Sequence, residues 1–174
     1  MTHRLQVWAD GDRMAVIEHE ARDDTWALHY DATWHANPNA YLLSPVLPLG
    51  AQGHASASVR RFIEHLLPEG RALDVAVAFN GLARSNVFGL IRALGSETAG
   101  ALRFSDADAE TAATLPEQVD RPPREIPLSE LNERIAQRDA LPFTVWDGRV
   151  RMSVAGLQDK LLVYLDAPPE QGGR

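Results

Sequence analysis

Between Leu5 and Asp31 the chain alternates apolar and polar side chains in three short runs, and this pattern restricts the fold more than any other feature. Leu5, Val7 and Ala9 alternate, Asp10-Gly11-Asp12 is a turn signal, and Met14 and Val16 carry a second run towards Glu18. Trp26, Leu28 and Tyr30 alternate in a third run, bounded by Asp23-Asp24 and Asp31. A period of two puts one face of each run against a core. Two hairpin strands alone are marginal in water, so the pattern predicts a three-stranded antiparallel meander.

Helices follow the meander. Val59, Phe62, Ile63, Leu66 and Leu67 form the stripe of one buried helix face, with Ser58 placed to cap it and Pro68 to end it. Val87, Leu90, Ile91 and Leu94 form a second stripe, with Ser85 as the expected cap and Gly95 where a left-handed C′ residue belongs. Arg71 to Phe79 reads as a third helix between them, and Ala101 to Phe104 as a short strand closing the unit. Residues 32 to 55 read as irregular, with prolines at 38, 45 and 48 and glycines at 50 and 53. Pro45 and Pro48 confine any extended stretch there to a sheet edge, and Trp34 and Tyr41 are the expected anchors to the core.

A length of 174 residues allows one ordinary domain, or one domain and part of another. A hydrophobic content of 45% with 24% charged residues suits a chain able to bury a core. No apolar run approaches the ~20 residues of a membrane span, and the N-terminus MTHRLQVWADGDR lacks a signal-peptide core. The expected location is therefore cytoplasmic, with no membrane partner. The absence of cysteine excludes disulfides and thiolate zinc sites. A formal charge of −7 argues against direct binding of nucleic acid, which needs a basic face. Histidines at 3, 19, 29, 35, 54 and 65 form no i, i+4 pair, so no metal is assigned. No G-x-S-x-G elbow is present to support a serine nucleophile.

The chain changes character after residue 105. Asp106, Asp108, Glu110, Glu117 and Asp120, interspersed with alanines and followed by Pro122-Pro123, read as a solvated linker. Ser129 is the expected cap of a short helix carrying Leu131 and Ile135. Phe143 to Trp146 and Arg149 to Met152 read as strands around an Asp147-Gly148 turn. Met152 and Val154, then Leu161, Val163 and Leu165, show the alternation of half-buried strands, separated by Ala155, Gly156, Leu157, Gln158, Asp159 and the chain's one lysine, Lys160. A glycine there lets backbone N–H groups approach an anion, and the lysine supplies a point charge for phosphate. An ordinary hairpin with a solvated lysine satisfies the same pattern. The fold class expected from the whole is α+β: a small antiparallel sheet with a packed helical cluster, then further strands.

Ser153-Val-Ala-Gly-Leu-Gln-Asp-Lys160 followed by an apolar strand resembles the glycine-rich loop of the HipA family of toxin serine/threonine kinases. Leu66-Leu67-Pro68-Glu69-Gly70, Asn86-Val87-Phe88-Gly89-Leu90-Ile91 and Ala99-Gly100-Ala101-Leu102 resemble the same family in the same order. Glu97-Thr98 stands where family members often carry Asp-Cys. The resemblance implies an N-terminal subdomain over residues 1–105, a linker over 106–127, and the first strands of a kinase-like N-lobe over 128–174. It implies that Val154, Ala155, Gly156, Leu157, Gln158, Asp159 and Lys160 cover the phosphates of ATP, bound with Mg2+, and that Ser153 is the autophosphorylated position. The family's catalytic core lies C-terminal to this loop, so no catalytic residue is assigned here and residues 1–174 alone are expected to be inactive as a kinase. Full-length members phosphorylate proteins such as aminoacyl-tRNA synthetases and are held by a helix-turn-helix antitoxin. The alternative expectation is a free-standing binding module that restrains a separate kinase core subunit.

Overall fold

Asp10 and Gly11 both take positive φ, 51° and 95°, which is the backbone of a two-residue hairpin turn. They join β1 (Thr2–Ala9) to β2 (Asp12–Glu20), and a second turn leads to β3 (Thr25–Tyr30), completing the expected meander. The structure, a computed structural model, describes residues 1–98, 100–107, 125–143, 145–146 and 149–150. A fourth strand, β4 (Leu102–Asp106), pairs antiparallel with β1, giving the order β3-β2-β1-β4. Cross-strand partners share a face. Leu5, Ile17 and Leu28 align across three strands, as do Val7, Ala15 and Tyr30, with Phe104 on the far side of Val7. A bulge between Val7 and Trp8 leaves Met14 without a direct partner, and Met14 packs with Ala9 and Trp34 in a second, smaller cluster.

The main core forms where helices cover the Leu5–Val7–Ile17 face. α1 (Ala32–Ala36) is a short helix in a segment expected to be irregular. Asp31 caps it by accepting from Thr33 N at 2.9 Å, and Arg13 of β2 holds the same carboxylate at 2.8 Å. Trp34 is buried and donates from Nε1 to Tyr41 O at 3.1 Å, and the Tyr41 ring meets it edge-on at 5.2 Å while staying 41% exposed. Within 41–49 the extended pairing reduces to a single bridge between Ser44 and Leu47.

α2 (Ser56–Glu64) buries Val59 and Ile63 as its stripe requires, but Ser58 lies inside it and does not cap it. The helix starts two residues earlier, at Ser56, whose hydroxyl accepts from Trp26 N at 2.8 Å. α3 (Gly70–Asn80) ends at Gly81 in the left-handed conformation. α4 (Val87–Leu94) is capped by Asn86, not by Ser85: Asn86 Oδ1 accepts from Gly89 N at 2.9 Å. Gly95 is right-handed, at φ −70°, so its glycine has another cause than the expected left-handed turn. A Cβ at Gly95 would sit 2.4 Å from Ile91 O and 2.7 Å from Phe104 Cβ. Close approach of α4 to β4 is what excludes a side chain there.

Past the acidic stretch, α5 (Leu128–Ala136) begins after Pro127 with no side-chain cap, and Ser129 lies within the helix. β5 (Val145–Trp146) and β6 (Arg149–Val150) pair as a separate two-stranded sheet, within the strands expected at 143–146 and 149–152. None of the described helices is long and apolar enough to cross a membrane.

Candidate functional site

The described chain reaches the expected nucleotide loop through β6, so the site begins with what holds the β5–β6 hairpin. α5 is amphipathic yet buries none of its residues; Leu128 is 76% and Ile135 43% exposed. Its last turn supplies Arg134. That guanidinium donates from Nη1 to Leu141 O at 3.4 Å, and from Nη2 to Pro142 O at 3.2 Å and Val145 O at 2.7 Å. Its Cζ lies 4.9 Å from the ring centre of Trp146, which is buried. Arg71, in the first turn of α3, donates to Arg138 O at 3.3 Å and to Asp139 O. The turn after α5 is thereby tied to the helical unit. Val150, paired with Val145, packs against the main core.

Ser153 and Val154, Ala155, Gly156, Leu157, Gln158, Asp159 and Lys160 lie outside the described residues, as do the Asp147-Gly148 turn and the strand expected at 161–165. Of the expected site, the structure therefore gives the approach and its supports. Arg71, Arg134 and Trp146 were not anticipated from the sequence. The only signal for Arg134 was a basic residue in a last helical turn, which marks dipole compensation and no particular partner.

His3, His19 and His54 take up aromatic packing. His3 and His19 are cross-strand partners, and both rings lie against Phe88, at 5.6 Å and 5.1 Å between centroids. His19 Nε2 is 3.0 Å from Asp24 Oδ1. That hydrogen bond, aided by the Trp26 indole N–H and the Arg60 charge, holds the Asp24 carboxyl below its usual range. A groove of about 590 Å³ runs past His3, His19, Asn86, Phe88 and Arg92, and Arg92 is ion-paired with Asp106. Among the described residues no group of three or more His, Asp or Glu is placed to hold a metal ion.

These features define an α+β unit: a four-stranded antiparallel sheet, a helical cluster on one face, and a helix leading into a second small sheet. Residues 5–105 match the HipA N-terminal domain, and the chain belongs to that family. It is 38% identical over 155 residues to the serine/threonine-protein kinase toxin HipA of Shewanella oneidensis, covering 88% of this chain and 34% of that protein. A solved structure of HipA from Shewanella oneidensis MR-1, in complex with HipB and its operator DNA, superposes with a TM-score of 0.67 at 36% identity, covering 90% of this chain and 34% of that one. The chain thus spans about a third of the length of the relatives it matches, and corresponds to their N-terminal region.

Proposed function

We propose that residues 1–174 are the N-terminal portion of a HipA-like serine/threonine-protein kinase toxin of a type II toxin–antitoxin system, acting in the cytoplasm. Residues 1–105 serve as the N-terminal subdomain, 106–127 as a linker, and 128–174 as the start of the kinase N-lobe. Val154–Lys160 form the loop over the phosphates of ATP, which such a kinase binds with Mg2+. The donors this loop offers, backbone N–H groups around Gly156 and the Lys160 ammonium, carry the right sign for phosphate. Ser153 is the phosphoacceptor beside that loop. A phosphate there adds about −1.5 to −2 charge and repels the nucleotide, favouring an ejected loop. The partner is an antitoxin protein, in keeping with the HipA–HipB complex of the solved relative. With a formal charge of −7, this chain leaves DNA contact to the antitoxin.

The observation that carries this reading is the extent of the match to HipA. A 155-residue match covering 88% of the chain runs well past residue 105, and so beyond the helical subdomain towards the loop. Incubating the chain with an active HipA-family kinase and ATP, followed by mass spectrometry, tests it. Phosphate is expected on Ser153 and lost in Ser153→Ala. Phosphate elsewhere while Ser153 stays bare rejects the assignment.

A further inference from the structure

An arginine in the last turn of a surface helix ordinarily complements the helix dipole and is solvated. Arg134 does otherwise. Its fork leaves α5 and reaches three carbonyls, Leu141 O, Pro142 O and Val145 O, while the guanidinium lies over Trp146. The last of these carbonyls and the ring both belong to β5, whose pairing (Val145 with Val150, Trp146 with Arg149) sets the position of β6. Behind Arg134 the turn is held by Arg71 through Arg138 O and Asp139 O, and ahead of it Val150 meets the main core.

We propose that Arg134 is the positioning residue of the hairpin that delivers the chain to Ser153 and Val154–Lys160. This rests on the nucleotide role given to that loop above. A guanidinium is suited to the task because its planar fork serves several carbonyls at once and also stacks on an aromatic face. A lysine keeps the charge but is a point donor on a flexible stem, so it cannot reproduce the arrangement.

Arg134→Lys and Arg134→Ala are compared with Arg84→Ala, which removes only a surface pair with Asp74. Amide exchange in the 174-residue chain is the first readout. Opening of Val145–Val150 is expected to rise at least about tenfold in Arg134→Ala, with a smaller rise in Arg134→Lys, while β1–β4 and the Arg84→Ala control stay unchanged. Unchanged exchange over 145–150, or an equal rise throughout β1–β4, overturns the positioning role. The second readout is labelling of Ser153 by an active HipA-family kinase. Arg134→Ala should raise KM for this chain roughly threefold or more with kcat little changed, the pattern of an interaction lost equally from the ground state and the transition state. Absence of label on Ser153 in the unaltered chain rejects the loop reading, and with it the purpose given to Arg134. Normal labelling with unchanged exchange and KM in Arg134→Ala rejects the positioning role alone.

Discussion

Two glycines at helix ends test whether conformation or space makes a glycine necessary. Gly81 has φ 62°, and a Cβ there would meet nothing within 4 Å. Gly95 has φ −70°, which any residue adopts, but its Cβ would meet Ile91 O at 2.4 Å, Phe104 Cβ at 2.7 Å and Phe104 Cδ2 at 3.2 Å. The approach is fixed because Gly95 O accepts from Phe104 N at 2.7 Å, and Phe104 is buried. Alanine at Gly81 should cost about 1–2 kcal/mol for the left-handed backbone, and asparagine less, because its short polar side chain tolerates that region. At Gly95 the cost is overpacking, about 1–3 kcal/mol, and asparagine, being larger, gains nothing over alanine. For a cooperative unit of about 100 residues each kcal/mol moves the melting midpoint by roughly 4–8 °C. Thermal and urea unfolding followed by circular dichroism measures all four variants. The reasoning fails if Gly95→Asn is more stable than Gly95→Ala, or if Gly95→Ala lies within about 0.5 kcal/mol of the unaltered chain, the range of neutral surface changes.

The Tyr30 hydroxyl donates to Leu47 O at 2.6 Å and accepts from Leu43 N at 2.8 Å, so Tyr30→Phe should cost about 1–3 kcal/mol by leaving both backbone groups unpaired. Burial pushes the Tyr30 hydroxyl above its ordinary value of 10, so the stabilisation present below pH 10 is lost as pH rises further, and Tyr30→Phe should flatten that alkaline limb in pH-dependent urea unfolding. The terminal ammonium and Thr2 hold the Glu20 carboxyl at about 2 instead of 4.5, so its contribution is present above pH 4.5 and lost as pH falls towards about 2. Acetylating the terminal amine should return Glu20 upward in a carboxyl NMR titration; a midpoint still near 2 would show that the ammonium is not the cause. Limited proteolysis should cut first between Asp106 and Arg124, where acidic residues and prolines crowd, and early cuts within 58–94 would contradict the proposed subdomain boundary.

Local signals in the sequence were the most faithful guide. The Asp10-Gly11 turn and the apolar alternation of β1–β3 depend on the chain's own geometry, and the structure has both. Serine caps were the least faithful. Ser58, Ser85 and Ser129 were each the expected cap, and none of them serves. Ser56 is drawn to the backbone of β3, thirty residues away in sequence, and Asn86 stands one residue beyond Ser85 with a side chain that reaches Gly89 N. α1 was missed because its cap, Asp31, is steadied by Arg13 of another strand. The loop Ser153–Lys160 was legible only through resemblance, since one glycine and one lysine suit an ordinary hairpin equally well. Nothing in the sequence marks the partners of Arg71 and Arg134, because these are backbone carbonyls, which every residue carries.

The two sheet edges explain why the chain turns to a second sheet after residue 128. On β4 the outward Phe104 N–H is taken by Gly95 O, and Leu102 O accepts from the Thr98 hydroxyl. Threonine at 98 thus does a polar task at this edge. On β3 the Trp26 N–H is taken by the Ser56 hydroxyl, and α2 packs alongside. An edge whose outward groups are already engaged offers little to a new strand. Among the described residues β5 and β6 pair with each other and with neither edge, as a separate two-stranded sheet. Arg71, through Arg138 O and Asp139 O, and Val150, against the main core, tie the β5–β6 hairpin to the four-stranded unit, so its position depends on how that unit folds.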